Sequence, residues 1–149
     1  MKKFQFHMEK LLSYKGQFLD SEKMNLAVLN NLLKDAEERL ESLKREMRNN
    51  KVEFEGKMKE QITPVACRVY ASYESHIKEQ IHICEREISE ISEQIEKQVA
   101  RVKDLKIETK SLETIKESRF IEYQKEDLKK SELFVDEFVS TARVMSKGF

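Results

Sequence analysis

The sequence predicts an all-α fold, with two long helices in an antiparallel coiled-coil hairpin. Three observations carry this prediction. The first is composition: charged residues make up 38% of the 149-residue chain, beside 3 glycines, 1 proline and no tryptophan. Ordinary domains hold about a quarter charged residues, and strands and tight turns need Gly and Pro for punctuation, so β-rich and α/β folds are disfavoured. The second is the spacing of apolar residues, which repeats every seven positions in each half of the chain. The third is a single break in that spacing, near the middle, where the only proline stands.

The first helix is expected over about residues 3–60. One seam runs Leu12, Leu19, Leu26, Leu33, Leu40, Met47, Phe54, and a second runs Met8, Lys15, Glu22, Leu29, Ala36, Leu43, Asn50. Alternating steps of three and four keep one stripe facing a partner as a helix supercoils left-handedly. Lys15, Glu22 and Asn50 interrupt the stripe, and polar seam residues help to fix register at a cost in stability.

A turn is expected over about residues 61–66. Pro64 biases Thr63 toward extended geometry. Thr63 can then cap a new helix with Pro64 in its first position.

The second helix is expected over about residues 65–146. Its seams are Ile77, Cys84, Ile91, Gln98, Leu105, Leu112 and Ile81, Ile88, Ile95, Val102, Thr109. Carrying the pattern on through Ile115, Phe120 and Tyr123 requires a register change, so a stutter is expected near residues 112–120. The seam then resumes through Leu128, Phe134 with Val135, Phe138 and Ala142. Folding back near residue 65 sets residue i opposite roughly residue 130 − i. The second helix, about 20 residues longer, should then project beyond the first. Charge pairs one turn apart are expected at Asp35–Arg39, Glu41–Arg45, Glu55–Lys59, Glu93–Lys97 and Glu126–Lys130, each contributing about 0.2–0.5 kcal/mol. The whole, residues 1–149, is expected to be a single hairpin domain.

Charge and cysteines restrict the function classes. The 28 basic and 28 acidic residues cancel and are interspersed. A nucleic-acid binder wants a basic face to displace counterions from phosphates, so no nucleic-acid partner is expected. Cys67 and Cys84 lie 17 residues apart, about 25 Å along one helix, too far for a disulfide. Free thiols suit a reducing cytosol. The opening MKKFQFHMEKLL has no apolar run of signal-peptide type, and no stretch approaches a membrane span.

The sequence carries no catalytic or cofactor motif. Gly16, Gly56 and Gly148 are isolated, so no phosphate-cradling loop is expected. His76, His82 and Cys84 lack the spacing of two ligands one helical turn apart, and Cys84 falls on a seam as a small core residue. Cys67 beside Arg68 has no histidine in a nucleophile motif. Two helices offer no cavity to desolvate a carboxylate pair. No catalytic residue, cofactor, metal or small-molecule substrate is expected.

The aromatic residues say more. Phe4, Phe6, Phe18, Phe120, Tyr123, Phe134, Phe138 and Phe149 come from the two chain ends, with Tyr14 nearby, and a hairpin brings those ends together. Two helices cannot bury so many rings at one end, and surplus exposed aromatics mark partner surfaces. Val69, Tyr70 and Tyr73 form a smaller group beside the turn.

The segment LETIKESRFIEYQKEDLKKSELFVDEF, residues 112–138, resembles the C-terminal signature of the flagellar FliJ family. The matching positions are Leu112-Glu113, Arg119 with Tyr123, Glu132 and Asp136-Glu137. The opening MKKFQFHMEKLLSYK and the stretch YASYESHIKEQI also look like that family. Ile115 stands where leucine is common, and STARVMSKGF lacks the usual Arg-Arg-Phe-like close.

The resemblance implies a non-enzymatic stalk and coupling protein of the flagellar type III export apparatus. It implies a cytoplasmic protein, peripheral at the cell membrane at the flagellar base. Its implied partners are the hexameric flagellar export ATPase, the membrane export gate and export chaperones. On this resemblance Phe4, Phe120, Tyr123, Phe134 and Phe138 face the ATPase ring, while Val69, Tyr70 and Tyr73 meet the gate or a chaperone. The alternatives are an injectisome-type secretion stalk and a generic coiled-coil adaptor or chaperone. A rotary ATP synthase stalk lacks room here for its globular domain, and a prefoldin-like chaperone needs strands that ITPVAC is too short to supply.

Overall fold

The computed structural model describes residues 3–147. They form two α-helices, α1 (Glu9–Lys59) and α2 (Pro64–Lys147), packed against each other with no strand among the described residues. The expected all-α fold of two long antiparallel helices is what forms. Phe149 and Gly148 lie outside the described residues.

The ends of the helices follow from local chemistry. Thr63 Oγ1 accepts from the Ala66 amide at 3.2 Å, and the Thr63 carbonyl accepts from the Cys67 amide at 3.1 Å. The hydroxyl satisfies one of the orphan amides of the first turn, and Pro64 has no amide to leave unsatisfied. At the other side of the turn, Lys57 and Lys59 lie in the last turn of α1, where cations complement the helix dipole.

Helix α1 starts at Glu9, later than the expected residue 3. The Glu9 amide donates to the Phe6 carbonyl at 3.1 Å, which closes a turn, and the first helical bond runs from the Leu12 amide to the Met8 carbonyl. Burial accompanies the delay: Phe6 is buried and Phe4 packs on α2 from the non-helical lead-in.

Contacts divide the chain into two units. One comprises Ser21–Val102, the other the residues up to Asp20 with those from Lys103 onward. In the Ser21–Val102 unit the turn joins the C-terminal part of α1 to the N-terminal part of α2. Its core centres on Ala36, Ile77, Cys84 and Val102, with Ile77 only 1% exposed. The Cys84 thiol donates to the Ala36 carbonyl at 3.2 Å, so this cysteine is a small packed residue with a local partner. Two polar seam residues are buried here. Asn50 Nδ2 donates to the Tyr70 carbonyl at 3.4 Å. Glu22 accepts from Gln98 Nε2 through both its main-chain carbonyl, at 2.9 Å, and its carboxylate. The Arg39–Glu87 ion pair, at 3.3 Å, ties the helices outside the seam.

In the other unit, Phe6, Leu19, Leu105 and Thr109 are buried. Lys15 is a half-buried seam residue whose ammonium reaches Glu108 at 2.8 Å, keeping its charge at the edge while the stem packs. Lys116 does the same with Glu9 at 2.8 Å.

All fourteen seam positions expected on α1, and all eleven from Ile77 to Leu112 on α2, are buried or half-buried. Five expectations need correction. The facing register is shifted: Ala36 meets Cys84 rather than Gln94, and Lys15 meets Glu108 rather than Ile115. The reversal occupies residues between Lys59 and Pro64, earlier than the assumed centre at 65. No stutter intervenes at residues 112–120. Thr109, Leu112, Lys116 and Tyr123 keep the seven-residue repeat, while Ile115 and Phe120 are exposed. A lysine holds a seam position there, which an apolar pattern search passes over. The seam does not resume at Leu128, Phe134, Val135, Phe138 and Ala142, because every residue from Glu132 to Ser146 is exposed, as is Leu128. Two expected charge pairs are replaced, since Arg39 joins Glu87 and Glu41 joins Arg48 at 3.7 Å. Longer reaches across a seam or along it compete well with one-turn pairs of such small energy.

Candidate functional site

The residues singled out by sequence fall into three places. Phe4, Phe120 and Tyr123 come together. The Phe4 ring meets Phe120 edge-on at 5.2 Å with planes 67° apart, and lies 5.5 Å from Tyr123. Phe120 and Tyr123 stack at 6.4 Å. Aromatic pairs of this geometry add roughly 0.5–1.5 kcal/mol beyond area burial. The cluster therefore pins the non-helical N-terminal segment to α2, while Phe120 keeps an exposed edge. Phe4 and Phe120 also border a groove with Leu12, Glu113, Lys116 and Glu117.

Phe134 and Phe138 belong to a different surface. They are 70% and 68% exposed, too far along α2 to join the Phe4 cluster's packing. Leu133, Val135, Val139, Val144 and Met145 are exposed beside them. Tyr123, Asp127, Ser131, Phe134 and Val135 line a shallow groove at its start. A run of apolar side chains in water is uncommon on a self-sufficient surface. Leu133, Val139, Val144 and Met145 were missed by sequence reasoning. Their signal was the density of apolar residues after Ser131.

Phe6 and Phe18 pack against neighbouring side chains. Phe6 is buried, with its ring 5.5 Å from His7. Phe18 is half-buried and stacks on Tyr14 at 6.3 Å.

Beside the turn, Val69, Tyr70 and Tyr73 do not act alike. Tyr70 is an anchor: its ring lies 5.3 Å from Phe54, and its hydroxyl donates to Glu53 Oε1 at 3.2 Å. Desolvation, then the hydrogen bond and charge of Glu53, push the Tyr70 phenol above its ordinary value. Tyr73 is partly exposed and donates to Glu46 Oε2 at 3.4 Å, while Val69 is exposed. Val69 and Tyr73 share an open groove with Val65, Arg68, Ser72 and His76. Val65, Arg68 and His76 were not assigned to this group by sequence, although they recur at helical spacing with Val69.

Among the described residues, no group of three or more His, Cys, Asp or Glu is placed to hold a metal. Cys67 and Cys84 are free. Among the described residues, no helix is long and apolar enough to cross a membrane.

Residues 4–147 match the family described as Flagellar FliJ protein. No match was found among curated proteins or among solved structures.

Proposed function

The chain belongs to the FliJ family of flagellar type III export-related proteins, and from that premise we propose that it is a non-catalytic stalk that couples the export ATPase to the rest of the export apparatus. On this reading the exposed C-terminal face of α2, with Phe134 and Phe138, docks inside the hexameric ATPase ring. Phe4, Phe120 and Tyr123 shape and brace the neighbouring surface. The groove at Val69 and Tyr73 meets the membrane export gate or an export chaperone. Its place is then the cytoplasmic side of the membrane, at the flagellar base.

The observation that carries the reading is the exposure of Phe134 and Phe138 on a stretch of α2 where every residue from Glu132 to Ser146 is exposed, while Phe4, Phe6 and Phe18 are buried or half-buried. Aromatic anchors dominate protein interfaces when they fill a partner's pockets. One helix pair in a six-fold ring contacts the six subunits unequally. Unequal contacts favour some nucleotide states over others, which is coupling by differential binding.

The test is ATP hydrolysis by the cognate export ATPase, with and without this protein and its Phe134→Ala/Phe138→Ala variant. Both rings are exposed, so the variant keeps its fold. Stimulation by the unaltered chain that the variant loses is the expected result. No stimulation, with no co-sedimentation of the two proteins, refutes the stalk reading.

A further inference from the structure

We infer that residues 3–5 form a releasable strap over the upstream end of the α2 docking face, with the Phe4 ring holding the place of an apolar side chain of the docking partner. The inference rests on the reading of that face as a surface for the export ATPase, and adds how access to it is controlled.

The face is longer than its open part. Tyr123 lines one groove with Asp127, Ser131, Phe134 and Val135. Phe120 stands one turn earlier and stacks on the Tyr123 ring at 6.4 Å. Positions 120, 123, 127, 131 and 134 advance by three or four residues, the spacing that keeps to one side of a helix. At the downstream end Phe134 and Val135 are open to water. At the upstream end the Phe4 ring lies 5.2 Å from Phe120 and 5.5 Å from Tyr123. One side of α2 is thus covered at its start by a ring of this same chain and left uncovered further on. Aromatic side chains seated in apolar slots are what anchor protein interfaces, and Phe4 occupies such a slot from within.

The way the strap is held makes it releasable. Residues 3–6 belong to neither helix. Among the described residues, their one backbone hydrogen bond runs from the Glu9 amide to the Phe6 carbonyl. Phe6 is buried and serves as the anchor, while Lys3 and Gln5, on either side of Phe4, are exposed. Phe4 therefore hangs from a joint at Gln5 and is kept in place by its ring contacts. Such contacts are individually small, so a partner's ring replaces them without unfolding either helix. A seated strap also withholds the full face from the partner. Apparent affinity then falls in proportion to the fraction of chains with the strap open.

The sign of one substitution tests this. Binding of the full chain to the cognate export ATPase is measured by titration calorimetry, with far-UV circular dichroism to check that helix content is kept. Phe4→Ala is expected to lower the dissociation constant about threefold or more, because it removes the plug and leaves the face. A second chain holds the strap shut. Lys3→Cys and Glu117→Cys, in a Cys67→Ser/Cys84→Ala background, keep both rings of the face and are joined by a short bismaleimide. Glu117 lines one groove with Phe4 and Phe120. Joining is expected to raise the dissociation constant about threefold or more over the same chain unjoined. A Phe4 that itself meets the ATPase gives the opposite sign: weaker binding by Phe4→Ala overturns the inference, as does unchanged binding by both chains. In those cases the unaltered chain still binds and the docking reading stands. No binding by the unaltered chain or by Phe4→Ala overturns both.

Discussion

Replacing Gln98 with leucine makes the seam more apolar and yet is expected to destabilise the protein. Gln98 Nε2 donates both to the Glu22 main-chain carbonyl and to the Glu22 carboxylate, and Glu22 is 7% exposed. Leucine cannot donate, so the buried carboxylate loses a partner. Leaving a buried acceptor unsatisfied costs about 1–3 kcal/mol, more for a charged group. Gln98 is only half-buried, so the added apolar burial returns less than about 1 kcal/mol. A net loss of about 1–2 kcal/mol follows. Glu22→Leu differs, because it removes the charge and leaves Gln98 its bond to the main-chain carbonyl. Its effect should be close to neutral. The double leucine variant has an ordinary apolar layer and should equal or exceed the unaltered chain, as replacing both partners of a buried polar pair often does. Urea unfolding of the four proteins gives the cycle, provided the slope stays constant so that midpoints compare. The two single changes should fail to add by about 1–3 kcal/mol. Additivity within about 0.5 kcal/mol, or a stabilising Gln98→Leu, would show that the layer is not held by this hydrogen-bonded pair.

Three further substitutions should stabilise the chain. A Cβ added at Gly16 or Gly56 meets nothing within 4 Å, and neither residue has positive φ. Gly16→Ala and Gly56→Ala should each add about 0.5–1 kcal/mol by urea unfolding, and a loss at either site refutes the open-space reading. The Thr109 hydroxyl is buried without a hydrogen-bond partner. Thr109→Val keeps the shape and removes that polar atom, so a gain of about 1 kcal/mol is expected. A loss would show that the hydroxyl has a partner, such as a bound water.

The seams were legible because a helix repeats its faces with a fixed period, so seven-residue spacing on each half marks the buried stripe without any knowledge of the partner. Thr63 and Pro64 were legible for a similar reason, since a cap is settled by a few neighbouring atoms. The likeness of the terminal segments to the FliJ family was also present in the residues themselves. What failed were inferences that depend on the other helix. Lys116 holds a seam position because Glu9 stands where its ammonium can reach. Arg39 leaves Asp35 for Glu87 because α2 brings that carboxylate within 3.3 Å.

The candidate surfaces divide in the same way. Aromatic content at both chain ends was visible as a list of residues, but their separation into packed and exposed rings was not. Phe4, Phe120 and Tyr123 assemble because the chain before Glu9 is not helical and sets a ring against α2. Phe134 and Phe138 carry the same chemistry, yet stay in water along a stretch of α2 that is exposed from Glu132 to Ser146. Tyr70 and Tyr73, three residues apart, part company through their neighbours: Phe54 and Glu53 hold the first, while the second opens on a groove. Sequence alone determined the two helices, the stripe buried on α1 and on α2 as far as Leu112, and the Thr63–Pro64 start of α2, because these depend on local period and local caps. Tertiary structure decided the facing register and which apolar residues go uncovered, because burial belongs to a pair of surfaces and one strand of sequence holds only half of each pair.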